Sequence, residues 1–116
     1  MHEFAIAQDI VFSLEQQLQK DFEMITSIDI EAGAFAGIVT DSLIFGIETI
    51  LAEKEMKDIN IKVDKAEAEA LCECGKSYKL KDIFELCPEC GSAVREMKSG
   101  TELSVKSVNI KDNKDE

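Results

Sequence analysis

Cys72-Glu73-Cys74-Gly75 and Cys87-Pro88-Glu89-Cys90-Gly91 hold all four cysteines of the chain. The pairs are separated by the twelve residues Gly75 to Leu86. Thiolates bind zinc tetrahedrally, and two pairs of them complete such a set without a histidine. In the second pair, two intervening residues let both thiols grip one ion, and Gly91 lets the backbone turn tightly beneath it. In the first pair the thiols stand one residue closer, so that chelate loop must be tighter. Two disulfides, or four unrelated thiols, are the alternatives. No secretory signal is visible at the start of the sequence, so a reducing, cytoplasmic setting is expected, which disfavours disulfides. The expectation is a structural Zn(II) on Cys72, Cys74, Cys87 and Cys90.

Working outward, the cysteine stretch lies between two runs of strand character. Ile59, Ile61 and Val63 alternate with Asn60, Lys62 and Asp64, the period of a half-buried strand. Leu103 and Val105 alternate, as do Val108 and Ile110, with a parity shift between the pairs. That shift predicts a β-bulge near Lys106-Ser107, or two short strands. Lys65 to Ala70 leads into the module and Ser99-Gly100 marks its exit. Inside it, Tyr78, Leu80, Ile83, Phe84 and Leu86 are expected to form a small cap over the metal.

Upstream, Phe4, Ala7, Ile10, Val11, Leu14 and Leu18 recur at helical spacing, predicting a helix from about Glu3 to about Lys20. Ile28 and Ile30 alternate with polar neighbours, predicting a strand over Ile25 to Ala32. Gly33 and Gly37 then break the pattern; without a Lys-Ser/Thr ending they are no phosphate loop. Thr40 or Asp41 is the expected cap of a second helix reaching about Glu53. Leu43, Ile44, Ile47, Ile50 and Leu51 give that helix its apolar face. Gly46 costs it about 1 kcal/mol of propensity and would allow close contact with the first helix. Lys111 to Glu116 is expected to be a frayed, charged tail.

The predicted fold class is α+β: two helices on one face of a three-stranded sheet, with an inserted zinc-ribbon-like module. The expected domains are 1–65 plus 101–116, and the insertion 66–100. Two chain crossings would join them, so metal loss could disturb the sheet.

The chain has 116 residues, 45% of them apolar, enough for one modest core plus a metal-stapled module. Runs such as Leu43–Leu51 are far too short to span a bilayer, so no membrane association is expected. The net charge is −11 and Arg95 is the only arginine, which argues against a nucleic-acid partner. An acidic surface suits a cation or a basic protein, and is also an ordinary route to solubility. No nucleophile–base pair is evident, so no enzyme activity is expected. Asp9, Glu15, Glu48 and Glu53 read as solvated helix faces. A thiol-redox protein, and a zinc ribbon that serves only as an interaction module, are the rival functions.

His2 is the only histidine, and it stands beside Met1. The Met1 amine, the His2 backbone nitrogen and the His2 Nδ1 can form adjoining five- and six-membered chelate rings, with the Glu3 backbone nitrogen or carboxylate as a further donor. Such a nitrogen-rich planar set suits Ni(II) or Cu(II). Met1 should survive processing because the second residue is bulky. The bland alternative is an exposed histidine without a role.

Met1-His2-Glu3, the Gly33-Ala34-Phe35 segment and the cysteine module together resemble the HypA family of hydrogenase nickel-incorporation accessory proteins. The resemblance covers essentially the whole chain in element order and length. It implies a nickel metallochaperone with Ni(II) as transient cargo at Met1, His2 and Glu3, and structural zinc at Cys72, Cys74, Cys87 and Cys90. It also implies the GTPase HypB and a [NiFe]-hydrogenase large subunit as partners, with urease maturation factors served in some members. The Cys72-Glu73-Cys74 pair departs from the CxxC often found there.

Overall fold

The computed structural model describes residues 2–111. Met1 and the predicted frayed tail beyond Lys111 lie outside the described residues. The elements run α1 (Glu3–Leu18), a 3-10 segment (Gln19–Met24), β1 (Ile25–Gly33), α2 (Thr40–Glu53), β2 (Asn60–Ala66), β3 (Ala68–Cys72), β4 (Ser77–Leu80), β5 (Arg95–Ser99) and β6 (Leu103–Ile110). They form two three-stranded sheets, ordered β2-β1-β6 and β4-β3-β5. The first is the sheet expected from the alternating runs. The second was not foreseen: β3, β4 and β5 all lie within the stretch read as a metal module with a loose cap.

The chain divides into two compact units: Met1–Ile30, Ile38–Asp64 and Val105–Glu116; and Glu31–Gly37 with Lys65–Ser104. In the first unit, α1 packs along α2. Its core takes Ala7, Val11 and Leu14 from α1, and Leu43, Ile47, Ile50 and Leu51 from α2. Ile25, Ile28 and Ile30 of β1 and Ile61 of β2 are buried with them. Burial here removes water from aliphatic surface, which is what makes both helices amphipathic. The buried stripe of α1 is the expected one at Ala7, Val11 and Leu14, with Ile10 and Leu18 half-buried, and departs from it only at its start. There Glu3 is 6% exposed while Phe4 is 49% exposed, so a carboxylate is buried beside a half-exposed aromatic ring.

Two helix ends also differ from expectation. The first helix stops at Leu18, where Gln19 turns to φ 53° and a 3-10 segment carries buried Phe22 toward β1. The second helix has Thr40 as its first residue, and Val39 stands at the capping position without a side-chain acceptor. Neither Thr40 nor Asp41 therefore takes the predicted cap; the relevant acceptor comes from α1, as described below. In β6, the half-buried residues Leu103, Val105 and Val108 show the parity shift, while Ile110 is exposed.

In the second unit, β3 is the middle strand and pairs antiparallel with both neighbours. Ala68 opposes Leu80 and Ala70 opposes Tyr78. Those four side chains share one buried face with Cys72 and Cys87, and Phe35 packs against them. Two alanines on the middle strand leave room for Tyr78 and Leu80. Against β5 the register shifts between Glu69 and Ala70, placing Cys72 opposite Arg95.

Candidate metal centre

The four cysteine sulfurs lie within 4.8 Å of one another. Cys72 Sγ is 3.5 Å from Cys90 Sγ, and Cys74 Sγ is 3.8 Å from Cys87 Sγ. A tetrahedron with metal–thiolate bonds of about 2.3 Å has sulfur–sulfur edges of about 3.8 Å. The donor set therefore fits a tetrahedral ion. A disulfide needs about 2.05 Å, and all four cysteines are free thiols.

Two matching turns position the sulfurs. In the first, Gly75 N–H donates to Cys72 O at 2.9 Å and Cys72 N–H donates to Lys76 O at 2.8 Å. In the second, Gly91 N–H donates to Cys87 O at 2.9 Å and Cys87 N–H donates to Ser92 O at 3.1 Å. The bonding pattern is the same with one residue removed from the first loop. This is how Cys72-Glu73-Cys74 accommodates its short spacing: the turn tightens by one residue and the thiols still converge. Gly75 and Gly91 have φ of 95° and 75°, a region that L side chains rarely enter. The first cysteine of each pair is buried and the second exposed, so the site is anchored in the sheet core and open on one side.

The protein's own groups bias the thiols unequally. Burial pushes the Cys87 thiol up, but the N–H groups of Cys90 and Glu89 favour the thiolate and hold it at about 7; the Glu89 N–H is 3.4 Å from its sulfur. The Cys74 N–H favours the Cys72 thiolate, yet burial and the neighbouring thiols push Cys72 up to about 12. A bound cation would stabilise all four thiolates together.

Of the predicted cap, Tyr78 and Leu80 are in place beneath the site, 8% and 2% exposed. The other three are not: Ile83, Phe84 and Leu86 point into solvent, with Phe84 83% exposed. Their loop is held by Arg95, whose guanidinium donates to the carbonyls of Ile83 and Glu85. Asp82 Oδ1 accepts the Phe84 N–H at 2.7 Å.

At the other candidate site, His2 is exposed and precedes α1, and its carbonyl accepts the Ile6 N–H at 2.9 Å. Glu3 is buried, and its Oε2 accepts the Val39 N–H at 2.9 Å. This contact was not read from the sequence, because thirty-six residues separate its partners. Met1 lies outside the described residues.

A helical pair, two small sheets and four thiols converged to fit a tetrahedral ion define the class: a small α+β protein with a candidate four-cysteine metal centre. The family model described as "Hydrogenase/urease nickel incorporation, metallochaperone, hypA" matches residues 1–110, and the chain belongs to that family. The hydrogenase maturation factor HypA of Prosthecochloris aestuarii is 31% identical over 112 residues, covering 95% of this chain and 99% of that one. The factor of the same name from Chlorobaculum parvum is 28% identical over the same coverage. The solution structure of the Ni metallochaperone HypA from Helicobacter pylori superposes with a TM-score of 0.67 at 19% identity, covering 95% of this chain and 97% of that one. That likeness establishes a shared fold.

Proposed function

We propose that this chain carries Ni(II) as transient cargo and hands it to a [NiFe]-hydrogenase large subunit during maturation, in the cytoplasm. The observation that carries this reading is the family match over residues 1–110, which takes in His2 and Glu3 as well as the four cysteines. Nickel is bound by the Met1 amine, the His2 imidazole and the nitrogens of residues 2 and 3. Such donors form a planar set that suits Ni(II). His2 is exposed, so incoming ligands can reach an ion held there. The chemistry is ligand exchange, without covalent turnover. The GTPase HypB is the proposed partner in delivery, and urease maturation factors are a second proposed destination. The ion at Cys72, Cys74, Cys87 and Cys90 is zinc, and its role is structural: an all-thiolate tetrahedron leaves no open coordination position.

Titrating untagged protein and its His2→Ala variant with Ni(II), with zinc content measured on both, tests this reading. The wild type should bind nickel and zinc, and the variant should lose nickel alone. Nickel binding unchanged in His2→Ala would remove the terminal site. Zinc lost in proportion to nickel would show one mixed site instead of two.

A further inference from the structure

The four thiols are not held alike. Cys72 and Cys87 are buried in the sheet core, whereas Cys74 and Cys90 are exposed and lack that anchorage. On the open side, the residue between the first two cysteines is bonded to the segment that follows the second pair. Ser92 Oγ donates to Glu73 Oε2 at 2.6 Å. The same oxygen accepts the Val94 N–H at 3.0 Å, and Val94 O accepts the Glu73 N–H at 3.1 Å. Together these bonds close a ring through Glu73, Ser92 and Val94. Ser92 also completes the second turn, since its carbonyl accepts the Cys87 N–H at 3.1 Å. One residue thus serves one cysteine pair with its main chain and reaches the other with its side chain.

We infer that Glu73 and Ser92 are positioning residues for the four-thiol centre: their hydrogen bond holds the two cysteine pairs at the separation a tetrahedral ion needs, and slows release of that ion. This rests on the structural zinc proposed above. Glu73 directly precedes exposed Cys74, and Ser92 follows exposed Cys90 by two residues. The bond therefore ties together the neighbours of the two ligands that the core does not anchor. A hydroxyl on a carboxylate at this distance is charge-assisted and stronger than a bond between neutral groups. The first turn has one residue fewer than the second with which to orient its exposed thiol, and Glu73 is the only residue between its ligands. Fixing Glu73 by both main chain and side chain fixes the peptide that leads into Cys74. Groups that orient ligands from outside the coordination sphere commonly set metal retention by about 10–100-fold. The other link across the pairs, Lys76 Nζ to Glu89 Oε2, is 3.9 Å long and exposed, and such a pair contributes little.

The test uses full-length, zinc-loaded protein and measures the rate of zinc release to excess EDTA. Glu73→Ala and Ser92→Ala should each release zinc about tenfold faster than wild type, and the double variant no faster than either single one. Glu73→Gln and Ser92→Thr should stay within about threefold of wild type, because the amide oxygen still accepts and the hydroxyl still donates. Lys76→Met should match wild type. Co(II) in place of zinc gives a second reading, since its visible absorption reports the geometry of the thiolate set. That spectrum should change in both alanine variants and return in Glu73→Gln and Ser92→Thr. The Glu73 N–H should be protected in zinc-loaded wild type and exchange faster in Ser92→Ala, although the substitution is nineteen residues away. None of the substituted side chains is buried, so the variants are expected to fold. Release at the wild-type rate in both alanine variants, with equal exchange of that N–H, would overturn the inference. So would additive acceleration in the double variant. Glu73→Gln as fast as Glu73→Ala would also overturn it, because release would then follow charge rather than the shared bond. Failure of the zinc site itself shows separately, as wild type taking up neither Zn(II) nor Co(II), and removes both readings.

Discussion

Arg95 Nη2 donates to the main-chain oxygen of Ile83 at 2.7 Å. The other arm of the same guanidinium reaches Glu85 O, also at 2.7 Å. The only arginine in the chain is therefore used as a fork that fixes a loop between β4 and the second cysteine pair. Lysine has a single ammonium point and cannot reproduce the fork. Arg95→Lys and Arg95→Met are expected to destabilise the zinc-bound second unit by about 1–3 kcal/mol, and to speed amide exchange over residues 81–86. Phe84→Ser should change stability by less than about 0.5 kcal/mol, since that ring is exposed. Thermal unfolding of the zinc-loaded variants decides it. A large loss in Phe84→Ser would show that the ring packs as the sequence suggested.

Metal removal should dismantle the second sheet. Its buried cluster is Ala68, Ala70, Cys72, Tyr78, Leu80 and Cys87, too little apolar surface to order the strands alone. Two of its six members are metal-ligand candidates, so core and centre form together. Cys87→Ala should lose zinc and amide protection from Ala68 to Ser99. Cys90→Ala, at an exposed position, should lose zinc without deleting a core side chain, and so unfold less when zinc is restored in excess. Protection of β3 that survives chelation would sink this account.

The difference between what the sequence disclosed and what it concealed is physical. Regular periods were legible: Ile28/Ile30 and Ile61/Val63 alternate as strands do, and Leu43, Ile47, Ile50 and Leu51 recur as a helix face does. The thiol pairs were legible because zinc chemistry restricts spacing. The second sheet was hidden because its middle strand is Ala-Glu-Ala-Leu-Cys, whose inward residues are small and carry little strand signal. Ile83, Phe84 and Leu86 misled because apolar character says nothing of direction when a distant arginine sets the backbone. The burial of Glu3, read from the sequence only as a possible metal donor, was hidden because its Val39 partner lies thirty-six residues away.

Glu67 and Lys79 form an exposed ion pair at 2.8 Å beside the edge of the second sheet. The hydrogen bond from Lys79, with its charge, lowers the Glu67 carboxyl below its ordinary 4.5, and the same pairing raises Lys79 above 10.5. Any stabilisation from Glu67 is therefore present above pH 4.5 and is lost as pH falls through its lowered value. The Lys79 contribution is present below pH 10.5 and is lost as pH rises through its raised value. Carbon-13 titration of the Glu67 carboxyl should show a midpoint below 4.5, returning to the ordinary value in Lys79→Met. The melting temperature should barely move, because exposed pairs contribute little. An unshifted midpoint in wild type would dissolve the pair in solution.

Gly46 offers the sharpest check on how α1 and α2 meet. A methyl group built there lies 3.1 Å from Ala7 Cβ and 3.4 Å from Phe4 Cδ1. A helical glycine facing solvent gains about 1 kcal/mol on replacement by alanine. Here that gain is opposed by the crowding of two buried methyl groups. Phe4 is half exposed and can swing aside; Ala7 is fully buried and cannot. Gly46→Ala is therefore expected to fall short of the full gain, and Gly46→Leu to cost about 1–3 kcal/mol through overpacking. The pair Ala7→Gly/Gly46→Ala moves the methyl group from one helix to the other. It should show positive coupling, more stable than the sum of its single changes by more than about 0.5 kcal/mol. Zinc content should stay constant throughout, because the cysteines belong to the other unit. Additive single changes, with Gly46→Ala stabilising by the full amount, would mean that the helices do not approach at this point. The role of Gly46 as the contact between them would then have to be given up.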